Sequence, residues 1–153
     1  MDKGFYTWLL RIRFRLERKG RVLEVVALVN SGYEADTPQL MIPVGLARIL
    51  GLWPPPMDAR EVVFETAGGP VRVWVVESAA IVKAVASDAE SSGVNVDLVL
   101  STHIDEPLIS DILAGKLEIA VEDFADGLWR FKWEPMGKLR KSEKRETYPT
   151  RIH

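Results

Sequence analysis

The chain has 153 residues, a formal net charge of −2 and no cysteine. This length is typical of one domain with one core, and the lack of cysteine excludes disulfides, thiolate metal ligands and a cysteine nucleophile. Hydrophobic residues make up 47% and charged residues 27% of the chain, which is typical of a globular protein and not of a disordered one.

The charge is distributed unevenly along the chain. Residues 1–21 hold seven basic and two acidic side chains, residues 22–133 hold seven and seventeen, and residues 134–153 hold six and three. Basic ends can bind polyanions, or they can complement the acidic body of the same or another subunit. Complementarity is the simpler interpretation, and it argues against a nucleic-acid partner.

The sequence gives no sign of a membrane segment. No apolar stretch approaches the roughly twenty residues that a membrane helix needs. The first residues lack the apolar segment and small-residue cleavage site of a secretory signal. We therefore expect no membrane partner and a cytoplasmic location.

The first predicted elements are two paired strands. Residues 10–17 alternate apolar and charged side chains, which is typical of a strand with one buried and one solvent-exposed face. After a turn at residues 18–21, the β-branched run 22–29 predicts a strand buried on both faces. A loop then begins at Asn30.

The stretch of residues 44–51 predicts a short helix. Leu46, Ile49 and Leu50 lie on one face, and Gly51 is suited to the helix C-cap. Two strand-like runs follow, at residues 61–66 and 71–76, joined by Ala67-Gly68-Gly69-Pro70. Two adjacent glycines restrain the backbone little, so this segment predicts a projecting, exposed hairpin tip.

The second half of the chain is predicted to continue with strands at residues 78–86 and 96–101. A helix of about nine residues is expected from Glu106-Pro107 to Gly115, because proline suits the first turn and apolar residues follow at helical spacing. Residues 119–124 and 128–133 flank Asp126-Gly127, which is a strong hairpin signal. Its second strand is expected to carry Trp129, Phe131 and Trp133 on one face.

The order of these elements resembles that of the retroviral-type (retropepsin-like) aspartic proteases. Ala27-Leu28-Val29-Asn30-Ser31-Gly32 resembles the family's Ala-x-Val-Asp-Thr/Ser-Gly motif, and Pro43 through Leu52 is similar to the stretch that often follows it. Gly68-Gly69 resembles the family's flap tip. The segment from Leu98 through Phe131 resembles its hydrophobic strand, helix and final hairpin.

The resemblance implies a mainly β fold, a closed acid-protease barrel with one or two short helices, assembled as a homodimer. It implies one domain over residues 1–133, followed by a charged tail at 134–153 whose order depends on docking. A peptide or protein substrate would lie between Asn30, Ser31 and Gly32 at the catalytic position and Ala67, Gly68 and Gly69 of the flap. No cofactor or metal is implied.

The catalytic aspartate of the family corresponds to Asn30. In these enzymes two aspartates, one from each subunit, share a proton and act as general acid and base. An amide does not titrate, so we expect Asn30 to hold a water without activating it. A natural loss of catalysis, a deliberate substitution and a mistaken alignment all remain compatible with this residue. Ser101 also departs from the family, which commonly has glycine there.

Other residues have simpler interpretations. Glu34 and Asp36 are read as loop carboxylates or caps, and Asp97 and Asp105 as structural residues. The two histidines, His103 and His153, have no second ligand at metal-binding spacing.

The basic side chains of residues 11, 13 and 15 are expected on an edge strand, where charge prevents unwanted sheet pairing. Two other functions stay open. One is a non-enzymatic peptide- or protein-binding module on the same fold, and the other is a nucleic-acid or scaffold protein that uses the basic ends.

Overall fold

The computed structural model describes residues 10–29, 32–66 and 68–150. In these ranges the chain is mainly β, as predicted, with two short helices. The strands are β1 (Leu10–Arg18), β2 (Arg21–Val29), β3 (Gln39–Pro43), β4 (Arg60–Thr66), β5 (Gly69–Ala84), β6 (Val94–Ser101), β7 (Leu108–Ile109), β8 (Ile119–Asp123), β9 (Leu128–Phe131) and β10 (Arg140–Lys141); the helices are α1 (Val44–Ile49) and α2 (Asp111–Lys116).

The predicted β1–β2 hairpin is confirmed. The apolar side chains of β1 are all 0% exposed while the residues between them are partly exposed, so the alternation separates a core face from a wet face. Strand β2 is buried on both faces only from Val25 onward, whereas Val22 is 54% exposed. In the first part of β2, Leu23 packs against the core while its neighbours Val22 and Glu24 are exposed, so this part has one exposed face.

The strands form a ring around this core. The larger sheet has the order β1-β2-β7-β3-β6-β5-β4, and β1 also pairs with β5. Strand β1 is therefore hydrogen-bonded on both sides, and the prediction that it is an edge strand is wrong. Two pairings in the ring, β2 with β7 and β3 with β6, are parallel.

Three strands were not expected from the sequence, and one of them is β10 in the charged tail, which pairs with β9. Gln39–Pro43, predicted as part of a loop region, is β3 and pairs along its whole length with β6. Leu108–Ile109, predicted to begin a helix, is β7 and pairs with both β2 and β3. The helix α2 begins only at Asp111, after the N-cap Ser110, and it passes through Gly115 rather than ending there.

The predicted strands at 71–76 and 78–86 are one continuous strand, β5. Its pairing with β6 shifts between Val76 and Ala80, and Ser78 has φ of +46°. A bulge of this kind bends a strand without ending it, so the predicted break between the strands at 71–76 and 78–86 is wrong. The long β5 serves both the β4–β5 hairpin and the ring.

The helix α1 forms close to its predicted place, with Gly51 after it at φ of +73°. Its buried face holds Leu46 and Ala47, while Ile49 is 46% exposed. Ile49 was therefore wrongly assigned to the apolar stripe.

A second, smaller sheet has the order β10-β9-β8. The predicted Asp126-Gly127 turn is confirmed and Gly127 has φ of +65°, a conformation that favours glycine. Trp129 and Phe131 are buried at 3% and 0% exposure, but Trp133 follows the end of β9 and is 49% exposed. Trp133 stacks on Phe131 with ring centroids 4.3 Å apart.

The basic tail docks on its own chain. The Ser142 hydroxyl oxygen accepts a hydrogen bond from the backbone N–H of Arg11 at 2.8 Å, and the Tyr148 N–H donates to the Asp105 carbonyl at 2.7 Å. The carbonyl of Pro149 accepts from the N–H of Gly45 in α1 at 2.9 Å. Residues 140–149 thus run as a strap from β9 across β1 to α1.

Candidate functional site

The sequence motif lies at the end of β2, and only part of it can be described. Strand β2 ends at Val29, Asn30 and Ser31 lie outside the described residues, and Gly32 is exposed at the start of the loop that follows. Strand β7 runs parallel to the end of β2, and the N–H of Leu28 donates to the Pro107 carbonyl at 2.8 Å. Strand hydrogen bonds therefore fix the end of β2, which directly precedes Asn30 in the chain.

Hydrogen bonds also fix the loop after the motif. The Tyr33 carbonyl accepts from the N–H of Asp111 at 2.9 Å, and the Tyr33 hydroxyl donates to Oε1 of Gln39 at 2.9 Å. Burial, and secondarily the Asp97 carboxylate, raises the pKa of the Tyr33 phenol above its ordinary value. Tyr33 is therefore a neutral anchor that ties the loop to α2 and β3.

Asp97 has the structural role that the sequence suggested. Its Oδ2 accepts from the Thr37 hydroxyl at 2.7 Å, and its Oδ1 accepts from the backbone N–H of Ser78 at 2.8 Å. The carboxylate therefore joins the loop after the motif to the bulge of β5. This link positions the loop opposite the β4–β5 hairpin.

A cleft of about 820 Å³ lies between this loop and the hairpin. Its loop side is mainly polar, and its hairpin side combines the apolar Val62, Phe64 and Val75 with the charged Arg60 and Glu77. The lining residues are Glu34, Ala35, Asp36, Thr37, Gln39, Arg60, Val62, Phe64, Val75, Glu77, Ser78 and Asp97. We refer to this cavity as the hairpin cleft.

The hairpin cleft is rich in carboxylates. Glu77 lies 3.7 Å from Arg60, the one cation among the described lining residues, in an exposed pair. Glu34 and Asp36 are exposed, and within residues 10–29, 32–66 and 68–150 neither has an ion pair or a side-chain hydrogen bond. The loop side of the cleft is therefore electrically negative.

The other wall comes from alternate residues of β4 and from β5. Phe64 is 40% exposed and faces the cleft, whereas its neighbour Val63 is 54% exposed and does not line it. Val62 packs partly against the small apolar cluster of Val73, Val75 and Val99. This wall offers an apolar surface supported by buried side chains from behind.

A second cavity of about 410 Å³ lies beside the end of β2. Leu28 and Leu108 form part of its wall, with His103 at its rim. Nδ1 of His103 lies 3.1 Å from the Thr102 hydroxyl oxygen. Apolar residues on two adjacent strands and one imidazole line this smaller pocket.

The six residues predicted for the site are only partly placed by the structure. Asn30, Ser31 and Ala67 lie outside the described residues, while Gly68 is exposed at the hairpin tip and Gly69 begins β5 with φ of +110°. None of the described three, Gly32 included, lines the hairpin cleft.

Sequence reasoning missed the apolar wall of Val62 and Phe64. The predicted strand at 61–66 was the signal that could have identified it, because alternate side chains of a strand lie on one face.

Within the described ranges, no group of three His, Asp or Glu side chains is close enough to hold a metal ion. No helix in that part of the chain has the length and hydropathy to cross a bilayer. No protein-family model and no curated protein matches the sequence.

Proposed function

We propose that the chain is a retropepsin-like domain that binds extended peptides in a homodimeric cleft and, with Asn30 at the catalytic position, does not cleave them. The observation that carries this proposal is the hairpin cleft. One of its walls is the residues that directly follow Asn30-Ser31-Gly32, and the other is the β4–β5 hairpin that ends in Gly68-Gly69.

The shape of the cleft supports a peptide ligand. Extended peptides expose side chains on alternate faces, and the cleft offers two unlike walls to such a chain. The second cavity, at Leu28 and Leu108, is separate from this cleft and shares none of its described lining residues.

The chemistry at position 30 decides between binding and cleavage. An aspartate pair can hold one proton between two carboxylates, so that one abstracts a proton from water while the other donates a hydrogen bond to the peptide carbonyl. An asparagine pair has no group to accept that proton. Because one chain supplies one such residue, the active form would need two copies related by a two-fold axis.

The test is Asn30→Asp in the full chain. We expect cleavage of casein to appear under acidic conditions, where one carboxylate of the pair is protonated, and to be blocked by a peptide mimic of the tetrahedral intermediate. Asn95→Asp on the exposed face of β6 is the matched control and should stay inactive.

Light scattering at the same pH gives the assembly state. We expect twice the 17.2 kDa chain mass for the wild type and for both variants. A folded, dimeric Asn30→Asp protein without cleavage would contradict a protease ancestry and leave the non-enzymatic binding module. A monomeric wild type would contradict the homodimeric cleft.

A further inference from the structure

The hairpin cleft has an uneven charge balance. Among the described residues that line it, four are carboxylates and one is a cation. Asp97 is satisfied by Thr37 and Ser78, and Glu77 faces Arg60. The remaining two, Glu34 and Asp36, have no cationic partner within the described part of the chain.

The hairpin side of the cleft carries an exposed apolar surface. Phe64 is 40% exposed and lines the cleft, next to Val62 and the buried Val75. Large apolar side chains that line a concave surface are typical of binding sites. The cleft thus presents two exposed carboxylates on its loop side and, on its hairpin side, an apolar surface next to the Arg60–Glu77 ion pair.

We infer that the hairpin cleft selects extended peptides in which lysine or arginine alternates with apolar residues. Side chains of an extended peptide point alternately to opposite sides. One set would pack on Phe64 and Val62, and the other set would face Glu34 and Asp36. This inference rests on the proposed peptide-binding function and names its ligand class.

Electrostatic complementarity supports a basic rather than an acidic ligand. Like charges facing each other across an interface disfavour binding, while opposite charges steer the encounter and set specificity. An acidic peptide would meet two uncompensated carboxylates, and a neutral one would leave them without a partner. Because both carboxylates are exposed, the effect should be moderate and should weaken with salt.

The experiment measures binding of three fluorescent peptides of equal length by anisotropy. In each peptide valine alternates with lysine, serine or glutamate. We expect the lysine peptide to bind roughly three- to tenfold more tightly than the serine peptide, with the difference reduced at high salt. The glutamate peptide should bind most weakly.

Two double variants with the same change in net charge separate local from global electrostatics. Glu34→Gln/Asp36→Asn should remove the preference for lysine and keep binding of the serine peptide. Glu17→Gln/Asp58→Asn changes two exposed carboxylates outside the cleft and should keep the preference. Both should unfold at the wild-type urea midpoint, since no described ion pair involves these four residues.

A third pair of variants tests the wall. Phe64→Ser should weaken binding of all three peptides, and Val63→Ser on the opposite face of β4 should weaken binding of none.

If all peptides bind equally to the wild type and Phe64→Ser weakens binding of them all, the cleft binds peptides but the basic ligand class is wrong. Equal loss in both double variants would also overturn it. If no peptide binds, the proposed function itself fails.

Discussion

The β1 face and the hairpin cleft carry opposite charges, and they differ in what lies against them. Arg11 pairs with Glu106 at 2.8 Å, Arg13 with Glu143 at 2.9 Å and Arg15 with Glu90 at 3.0 Å. In the cleft, Glu34 and Asp36 have no such partner among the residues that the structure describes. Among the described residues, ion pairs neutralise the arginines of the β1 face, whereas the carboxylates of Glu34 and Asp36 in the cleft have no ion-pair partner.

This difference shows that a charge pattern in sequence indicates a binding surface only where the fold leaves it unpaired. The basic N-terminal strand and the basic tail looked like candidate polyanion sites. The strap of residues 140–149 instead lies across β1 and brings Glu143 to Arg13. The same strap brings Arg145 to Glu106 at 2.7 Å. These intrachain pairs argue against nucleic-acid binding by the arginine face.

The largest expected effect comes from breaking the Arg11–Glu106 pair. It is the least exposed of the three ion pairs given above for the β1 face. Glu106 accepts two hydrogen bonds from Arg11 and also forms an ion pair with Arg145, and the Arg11 and Glu106 side chains are 15% and 8% exposed. Glu106→Gln leaves the Arg11 guanidinium without its carboxylate, while Arg145 keeps Asp105, so we expect the free energy of unfolding to fall by about 2–3 kcal/mol. Urea unfolding measures this.

The matched control is Glu61→Gln, which removes the partner of Arg72 on the exposed β4–β5 hairpin. Those side chains are 50% and 63% exposed, so a change of about 0.5 kcal/mol or less is expected. Equal effects from the two substitutions would mean that the strap does not shield the Arg11 face.

A smaller effect should follow from displacing the end of the strap. A Cβ atom on Gly45 would lie 2.6 Å from Cδ and 2.9 Å from the carbonyl oxygen of Pro149, whereas one on Gly115 in α2 would meet nothing within 4 Å. Gly115→Ala should stabilise the protein by up to about 1 kcal/mol through helix propensity. Gly45→Ala should not give this stabilisation, because its added Cβ atom would push Pro149 and the end of the tail away from α1.

Hydrogen exchange shows where the loss occurs. In Gly45→Ala the Tyr148 amide, which donates to Asp105, should exchange roughly tenfold faster than in the wild type. In Gly115→Ala its rate should be unchanged. Equal stabilisation by both substitutions with Tyr148 still protected would contradict the contact of Pro149 with α1.

The smallest effect is expected from acid. Hydrogen bonds from Arg140 and then Lys138 lower the pKa of Asp88 to about 2, from an ordinary value of 3.8. A carboxyl whose pKa is lower in the folded protein contributes stability above its unfolded pKa and loses it as the pH falls through the folded one. The contribution is therefore present above about pH 4 and disappears towards pH 2.

The measurement compares melting temperatures of the wild type and Asp88→Asn. Because Asp88 is exposed, the difference should be small. It should be constant from neutral pH down to about pH 4 and vanish towards pH 2. Asp58→Asn should show no difference at any pH. A gap that persists at pH 2 would mean that the substitution acts through something other than the carboxylate charge.

The sequence by itself determined the elements whose signal is local. Period-2 alternation identified β1, and Asp126-Gly127 identified the β8–β9 turn, because side-chain direction and turn geometry depend on neighbouring residues. The motif at Asn30 and the loop carboxylates Glu34 and Asp36 were also noted from sequence. The groups that surround those two carboxylates in the fold were not predicted from the sequence.

Tertiary structure decided the elements and the site features that depend on distant partners. Leu108–Ile109 is a strand because β2 and β3 lie on either side of it, and two residues are too short to show a period. The tail has no apolar periodicity, and its order comes from hydrogen bonds to Arg11, Asp105 and Gly45. The cleft needs the bend in β5 and the loop held by Asp97. Only folding brings these segments together, since their contacts join residues far apart in the chain.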